Sequence, residues 1–491
     1  MTRSQARLWK RPVGVAAVAA TGALVYGLFA IRAAYAQAQQ PSGHRAEAKN
    51  MRLVGANDLQ ARSAYQPVIH EQGGRWIAYV GHHGGAGMNP LTGASESNGT
   101  SIVDVTDPRR PKYLYHIAGE KGEGEQGGAQ MVRVCDGKSL PKGDANKIYL
   151  LRSFGNSAHE IWDATTPEKP AFVATVVDKL RNTHKNWWEC DTGIAFLVSG
   201  APEWRARRMT QVYDLNDPAN PVFIRNFGLV GQQPGAGGPV PTDLHGAIST
   251  GPAGNRIYFG YGTNKDGHLQ IVDRKKLLEG PREPTPENLL APQIARLDLF
   301  AMAGAHTTLP VLGIEVPEFA KDREGRVRDI VVIVNESLTN ECQEPRQMVY
   351  FVDITSESRP FTVANFNVPE AQGKFCSRGG RFGAHSSNEN MTPIYHKRIV
   401  FFAWFNAGVR AVDIRDPYRP REIAHYIPAT TTKTAPRCVK VDGGERCKVA
   451  IQTNNVEVDN RGYIYIVDRA NTGMHILELA GSARKIAKFP R

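Results

Sequence analysis

The chain has 491 residues and a formal net charge of +12, with 60 lysines and arginines against 48 aspartates and glutamates. Five basic residues and no acidic ones precede residue 37, so the remainder carries +7. These charges are scattered, without a basic stripe or interleaved aromatic residues, which argues against nucleic acid as a partner. The mild excess gives a weak preference for anionic ligands or membrane surfaces.

The first 36 residues have the pattern of a secretory signal. Four basic residues precede an apolar run over residues 13–31, and Ala34-Tyr35-Ala36 matches an A-x-A cleavage site. The alternative is an uncleaved membrane anchor, since the run is near the length that spans a bilayer. Residues 37–54 are expected to be a linker and residues 55–491 one domain. That domain is expected in the periplasm or secreted, and at the inner membrane only if the first segment stays uncleaved.

One pattern recurs seven times along this domain. A short apolar run ends in an acidic residue and a turn, as in SIVDVTDPRRP at Asp104 and AVDIRDPYRP at Asp413. The seven acidic residues, 51 to 80 residues apart, are Asp104, Asp163, Asp214, Asp273, Asp353, Asp413 and Glu478. Most of them precede an x-P turn, so we expect the carboxylates to accept backbone amides there.

Each marker follows a second short run rich in β-branched and aromatic residues, such as RWIAYV from Arg75 and GYIYIV from Gly462. Such runs predict central strands that are packed on both faces. Repeats of roughly 40 to 60 residues built from short strands and turns are typical of a β-propeller, with one four-stranded blade for each repeat. The sequence therefore predicts an all-β, seven-bladed β-propeller.

The repeat resembles the LVIVD-repeat propeller proteins, and the best matches are LQIVD at Asp273, SIVDVTDP and AVDIRDP. This resemblance covers about residues 60 to 480. The stretch FNAGVRAVDIRDPYRP is more distantly similar to the selenium-binding protein and methanethiol oxidase family. That family is a metal-dependent propeller with histidine ligands, so the resemblance implies the fold, and no individual residue is carried over from it.

Two features of the chain fall outside the simple repeat: the outer strand of the last blade and an insertion. Residues 484–489 are expected to form the outer strand of the last blade, with residues 52–55 as the alternative. Residues 274–303 contain four prolines and break the repeat, so they are expected to fold outside the ring.

All six cysteines lie beyond residue 36, and an even number in an exported chain favours disulfides. Between Cys438 and Cys447 lies Val-Asp-Gly-Gly, a sequence typical of a turn, so the two cysteines are expected to pair across a hairpin. The other expected pairs, each between adjacent blades, are Cys135 with Cys190 and Cys342 with Cys376.

Four histidines occupy equivalent positions in consecutive repeats. Aligning the repeats on their second strands places one polar residue at the start of each innermost strand: Gln66, Gln130, His184, His245, His306, His385, and Asn454 or Asn455. Innermost strands begin around one axis, so the four imidazoles are expected to converge. Neutral imidazoles gathered in this way are suited to a transition metal, with copper or iron favoured and zinc as a third option. The alternative is a hydrogen-bonded ring that holds ordered water.

Other polar residues near this face are candidates to orient the ligands or to line a substrate rim: His82, His83, His159, Asp243, Asn264, Glu336, Glu389 and Asn406. The three carboxylates are expected to orient the rings. His82 and His83 are expected in a loop of the first blade, where they would form a second metal site or part of the rim. For His159, Asn264 and Asn406, each taken singly, a solvated loop residue is expected.

These observations predict an exported metal-dependent oxidoreductase that acts on a small molecule at a histidine-ligated metal in the central channel, with a redox partner as a further component. The alternative is a non-catalytic propeller that serves as a binding or cell-surface interaction module.

Overall fold

The computed structural model describes residues 43–323 and 325–490. The expected signal segment, residues 1–36, lies outside the described residues. The described chain forms seven antiparallel sheets, each with four strands in meander order from the axis outward. Each innermost strand contacts the innermost strands of both neighbouring sheets, so the seven close into a ring. The fold is the predicted seven-bladed β-propeller.

The blades are numbered in chain order. The innermost strands are Ala64–Gln72, Val132–Asp136, Asn186–Trp188, Leu244–Ser249, Thr307–Glu315, Ser386–Ser387 and Thr453–Val458. The second strands are Arg75–Gly84, Ile148–Phe154, Ile194–Ser199, Arg256–Tyr261, Val327–Val334, Ile399–Ala403 and Ile464–Asp468. The third strands are Gly99–Asp104, Ala158–Asp163, Met209–Asp214, His268–Asp273, Val349–Asp353, Val409–Asp413 and Met474–Leu479. The outer strands are Lys112–Ala118, Ala171–Val177, Val222–Phe227, Gln293–Asp298, Phe361–Phe366, Arg421–Ile427 and Met51–Asn57.

Shorter elements decorate the ring. The additional strands are Glu47–Lys49, Gly124–Ala129, the hairpin Ala86–Met88 with Ser95–Ser97, and the hairpin Pro436–Val441 with Gly444–Val449. The α-helices are Gly251–Gly254, Arg274–Glu279, Pro286–Leu290, Phe375–Arg378 and Gly481–Arg484. The 3-10 helices are Leu59–Ala61, Gly137–Ser139, Pro317–Phe319 and Glu370–Gln372.

The core consists of seven apolar clusters among the described residues, one between each pair of neighbouring blades. In the second strand of blade 1, Ile77 and Tyr79 pack toward blade 2, whereas Ala78 and Val80 pack toward blade 7. Successive side chains of a strand point to opposite faces, and both faces of a blade are covered. This explains why the second strands are apolar at consecutive positions and not at alternate ones.

The repeated acidic residues have the predicted structural role. Six of them end the third strand of their blade; five carboxylates accept a backbone amide from the turn that follows, and that of Asp273 accepts from the Lys276 amide at the start of a helix. Asp104 accepts from the amide of Thr106 at 2.9 Å, and Asp413 from that of Arg415 at 3.1 Å. The motif is visible in the sequence because each blade needs the same turn.

The ring closes through the N-terminal part of the domain. Met51–Asn57 pairs antiparallel with Met474–Leu479 and forms the outer strand of blade 7. The prediction for residues 484–489 was therefore wrong, and the alternative at residues 52–55 is confirmed. The helix Gly481–Arg484 ends the blade instead. Two distant segments in one sheet hold the first and last parts of the ring together.

The expected linker over residues 37–54 also needs correction. Glu47–Lys49 pairs with Arg421–Ile427 as a fifth strand of blade 6, and the outer strand of blade 7 starts at Met51. The exposed edge of an outer strand offers unpaired amide and carbonyl groups, so even a short polar segment can pair there. The propeller therefore begins before residue 55.

Residues 274–303 fold only partly outside the ring. The helices Arg274–Glu279 and Pro286–Leu290 lie in the connection, but Gln293–Asp298 returns to pair with His268–Asp273 as the outer strand of blade 4. Pro281 and Pro284 fall between the helices, Pro286 lies at the first turn of the second helix, where proline is tolerated, and Pro292 directly precedes the strand. The insertion thus lengthens one connection and keeps the four-stranded blade.

The six cysteines form three disulfides, Cys135–Cys190, Cys342–Cys376 and Cys438–Cys447, as predicted. Three disulfides are typical of proteins in an oxidising environment outside the cytoplasm. Across residues 43–323 and 325–490, helices long and apolar enough to cross a bilayer are absent.

Candidate metal centre

The four aligned histidines meet on the propeller axis. Each lies at the start of the innermost strand of its blade, in blades 3 to 6, and each is at most 3% exposed. The Nε2 atoms of His184 and His245 are 2.9 Å apart. The ring centroids of His245 and His306 are 3.6 Å apart, and those of His306 and His385 are 4.4 Å apart. The structure therefore brings together all four residues that the alignment selected.

The Nδ1 atom of each ring faces an oxygen. His184 Nδ1 is 3.1 Å from Gln130 Oε1, and His245 Nδ1 is 3.0 Å from the carbonyl oxygen of His306. His385 Nδ1 is 2.5 Å from the carbonyl oxygen of Asn454. His306 Nδ1 is 3.0 Å from the hydroxyl of Thr307. Because carbonyl oxygens only accept hydrogen bonds, we assign the proton of His184, His245 and His385 to Nδ1, which leaves the lone pair on Nε2; the Thr307 hydroxyl can serve either tautomer of His306.

The Nε2 atoms of His184 and His245 face each other, and those of His306 and His385 lie near Glu336. Those of His306 and His385 find no hydrogen-bond partner among the described residues. Glu336 Oε1 lies 3.6 Å from His385 Nε2, and Glu336 Oε2 lies 3.9 Å from His306 Nε2. Ligand atoms of His245, His306 and Glu336 all lie within 4.8 Å of one another. Three such donors around one point form a possible metal-binding triad.

The imidazoles are electrically neutral at pH 7. Burial lowers the pKa of His184, His245, His306 and His385 well below 6.5, and the positive charge of Lys185 lowers all four further. Burial also raises the pKa of Glu336, against the opposing effect of Arg381. Neutral imidazole is the form that binds metals, so the four rings are prepared as ligands.

Tyr65, which the alignment missed, adds a phenol to this cluster. It lies in the innermost strand of blade 1, is 1% exposed, and has its hydroxyl 3.1 Å from His184 Nε2. Its ring also makes edge contacts with His83 and His385. In the sequence it directly precedes Gln66, the residue that the alignment placed at the equivalent position of blade 1. A one-residue shift in that register would have found it.

His82 and His83 were predicted to lie in a loop, and this was wrong. Both are buried in the second strand of blade 1, Arg75–Gly84. Adjacent residues of a strand point to opposite faces, so the two separate. His83 Nε2 faces Glu125 Oε1 at 3.4 Å beside the cluster, whereas His82 Nε2 bonds to Ser101 at 2.8 Å. Burial lowers the pKa of His83 to about 4.

The other candidates are dispersed. His159 is fully buried in the third strand of blade 2 and is not a solvated loop residue. Asn264 donates to Glu344 at 3.0 Å, and Asn406 donates to the carbonyls of Phe375 and Gly379 at 2.8 and 2.9 Å.

The three carboxylates do not contact the Nδ1 atoms that they were expected to orient. Glu389 binds Lys185 at 3.3 Å and also pairs with Arg133. Asp243 accepts from Arg207 Nε at 2.8 Å and from the Arg207 amide at 2.9 Å. Glu336 faces Nε2 atoms instead. Amide, hydroxyl and carbonyl oxygens hold the rings in place of carboxylates.

A cavity of about 310 Å³ lies over the imidazoles. Its lining includes His184, His245 and His385, together with Glu125, Arg208 and Arg381. Glu125, which the sequence reasoning missed, is 3.2 Å from Arg469 and 3.8 Å from both His184 and Arg208. Burial raises the pKa of Glu125, but the hydrogen bond to His83 and the neighbouring positive charges outweigh it and lower the pKa. His184, His245 and His385 are thus reached through a charged opening.

Comparison with known proteins shows no match to a family model or to a curated protein sequence. Among solved structures, Sqt1 from Chaetomium thermophilum is similar over 87% of this chain and 99% of its own, at 10% sequence identity and a TM-score of 0.48. A similarity at this level carries no argument about function.

Proposed function

We propose that the chain is an exported metal-dependent oxidoreductase that acts on a small molecule at a transition metal in the central channel. The ligands on this proposal are His184, His245, His306 and His385, with Glu336 as an additional carboxylate. The observation that carries it is the close approach of the four imidazoles, each with its Nδ1 atom against an oxygen, and the grouping of His245, His306 and Glu336 within 4.8 Å. Metal-binding histidines are usually held through their other ring nitrogen in this way.

The separation of His184 Nε2 and His245 Nε2 favours a metal over trapped water. At 2.9 Å there is no room for a water molecule between the two nitrogens. Nitrogens about 2.0–2.1 Å from one ion lie about 2.9 Å apart when they are at right angles, and about 3.3 Å apart in a tetrahedron. This separation fits two ligands of one ion; four imidazoles suit copper, iron or zinc, and we propose copper or iron, which change oxidation state.

The oxidoreductase assignment follows from the type of metal and from access to it. A copper or iron ion would exchange electrons between the substrate and an oxidant such as dioxygen or a redox partner. The cavity of about 310 Å³ is at the lower end of the range of ligand pockets, roughly 300–1,000 Å³, so the substrate is small. Export is supported by the three disulfides.

Elemental analysis of the protein tests this function. The protein is purified from a metal-replete periplasm without a histidine tag, and copper, iron and zinc are measured for each chain. The expected result is about one equivalent of copper or iron, with consumption of dioxygen when a substrate is supplied. A chain without stoichiometric metal would support the alternative, a non-catalytic binding or cell-surface module in which the histidines are structural.

A further inference from the structure

The guanidinium groups of Arg208 and Arg381 line the cavity above the imidazoles, and that of Arg469 lies beside it, 3.2 Å from the lining residue Glu125. Arg208 directly precedes the third strand of blade 3, Arg381 lies before the innermost strand of blade 6, and Arg469 directly follows the second strand of blade 7. Their side chains are only 17%, 22% and 12% exposed. Three separate blades therefore place a positive group at the same opening.

Most hydrogen-bond donors of these arginines remain unused by the described residues. Arg208 donates one hydrogen bond, from Nε to the carbonyl of Asn182 at 3.1 Å. Arg381 uses only Nη1, toward Glu336 Oε1 at 3.1 Å and the Ser337 carbonyl at 3.3 Å. Arg469 uses only Nη2, toward Glu125. A guanidinium has five N–H donors, so each can still bind an incoming acceptor.

The opening has an excess of positive charge. The three arginines face two carboxylates, Glu125 and Glu336, so one positive charge is not balanced. Glu125 lies 3.8 Å from Arg208, too far for a hydrogen bond. Planar guanidinium groups bind carboxylates and other oxyanions through paired hydrogen bonds, and half-buried sites strengthen this attraction.

We propose that the cavity selects a small substrate with an oxyanion head group, which Arg208 and Arg381 bind while the rest of the molecule points to the four imidazoles. The orientation toward the imidazoles rests on the proposed function, whereas the anion site itself does not. The head group is a carboxylate, a sulfonate or a phosphate, which share the negatively charged oxygens that these donors recognise. The volume of about 310 Å³ limits the substrate to a small molecule.

Isothermal titration calorimetry of the full mature chain at low salt tests the proposal. The probes are malonate, its neutral analogue malonamide, methanesulfonate and inorganic phosphate, each with metal-loaded and metal-free protein. Malonate or another anion is expected to bind, and malonamide at least tenfold more weakly. Arg208→Gln and Arg381→Gln should each weaken anion binding about tenfold or more, since hydrogen bonds to charged groups are the strong ones.

Arg207 provides the matched control. It lines the same opening, but it is 76% exposed and its guanidinium is paired with Asp243. Arg207→Gln removes the same charge and should weaken binding less than threefold. Arg208→Lys, which keeps the charge and loses the paired donors, should fall between the wild type and Arg208→Gln. Melting temperature and metal content are measured for every variant to exclude unfolding.

Two outcomes would overturn the proposal: equal affinity for malonate and malonamide with no anion bound more tightly, or equal losses in Arg207→Gln and Arg208→Gln. The relative affinities of the three anions identify the head group. If the protein lacks stoichiometric metal but the metal-free chain binds an anion through Arg208 and Arg381, the anion site stands and the oxidoreductase proposal falls. If metal is present and no anion binds, the anion-site proposal falls and the metal site stands.

Discussion

The Nε2 atoms of His184 and His245 lie 2.9 Å apart, although the two residues come from different blades. Each ring has its Nδ1 atom against an oxygen, so the two facing nitrogens both carry lone pairs in the assigned tautomers. Two lone pairs at this distance repel unless a proton or a cation is between them. A metal cation bound by both nitrogens would remove this repulsion.

Single replacement of the ligands should abolish tight metal binding. In His306→Ala, one Nε2 atom at the centre is lost, and the expected metal content falls from about one equivalent to less than a tenth. His425→Ala is the matched control, because His425 lies in the outer strand of blade 6 and bonds to Glu422 at 2.7 Å. Elemental analysis after dialysis measures both. Equal metal content in the two variants would contradict the assignment of His306 as a ligand.

Gln130 should act through His184. Its Oε1 accepts from His184 Nδ1 at 3.1 Å, and loss of such a partner typically lowers metal affinity about 10–100-fold. Gln130→Leu is expected to show this loss in a competition titration with a chelator, while Gln130→Glu keeps an acceptor and should recover most of the affinity. An effect of Gln130→Leu on stability alone, without a change in affinity, would exclude this role.

Acid should destabilise the metal-free protein through its buried histidines, among which His159 can be tested separately. Burial lowers the pKa of His159 to about 4 in the folded chain, so the unfolded chain takes up a proton first as the pH falls below about 6.5. The contribution of His159 to the free energy of unfolding should therefore decrease by about 1.4 kcal/mol per pH unit, or about 3 kcal/mol between pH 6.5 and 4.

His159→Phe removes this titration. Urea unfolding between pH 4.5 and 7.5 should give a stability curve that is less steep by about one proton than that of the wild type. Identical slopes would show that His159 is already paired or protonated in the folded chain.

Removing the disulfide that closes a long loop should destabilise the protein more than removing the one that closes a short loop. Cys135–Cys190 spans 55 residues and Cys438–Cys447 spans 9. The loop-entropy relation gives about 4.2 and about 2.6 kcal/mol, because the longer crosslink restricts the unfolded chain more. Thermal unfolding of the two double alanine variants should show the larger loss of melting temperature for Cys135→Ala/Cys190→Ala. The opposite order would contradict the entropic account.

Ring closure should be sensitive to Gly55. A β-carbon at this position would lie 2.1 Å from the carbonyl oxygen of Pro108, so Gly55→Ala must displace the backbone of Met51–Asn57 or its neighbour. Overpacking of this kind costs roughly 1–3 kcal/mol. Gly237→Ala is the control, because a β-carbon there meets nothing within 4 Å. Comparable melting temperatures of the two variants would refute a close packing of this strand.

The sequence by itself determined the seven blades, the three disulfides and the four histidines at the axis. Each blade repeats the same strands and the same acid-capped turn, as at Asp104 and Asp413, and these are local features of 10 to 20 residues. In a propeller, equivalent positions of successive repeats lie around one axis. Local patterns were therefore enough to place His184, His245, His306 and His385 together.

Only the tertiary structure decided which other side chains lie beside the four histidines. Glu125 and Arg469 are far from each other in sequence, and no repeated pattern marks them, whereas Tyr65 lies one residue from the aligned position of blade 1. The closing strand Met51–Asn57 likewise pairs with a segment more than 400 residues away. Such contacts depend on how the whole ring closes, and the hydrogen bonds that orient His184, His245 and His385 come from neighbouring blades, so neither is encoded in a local pattern.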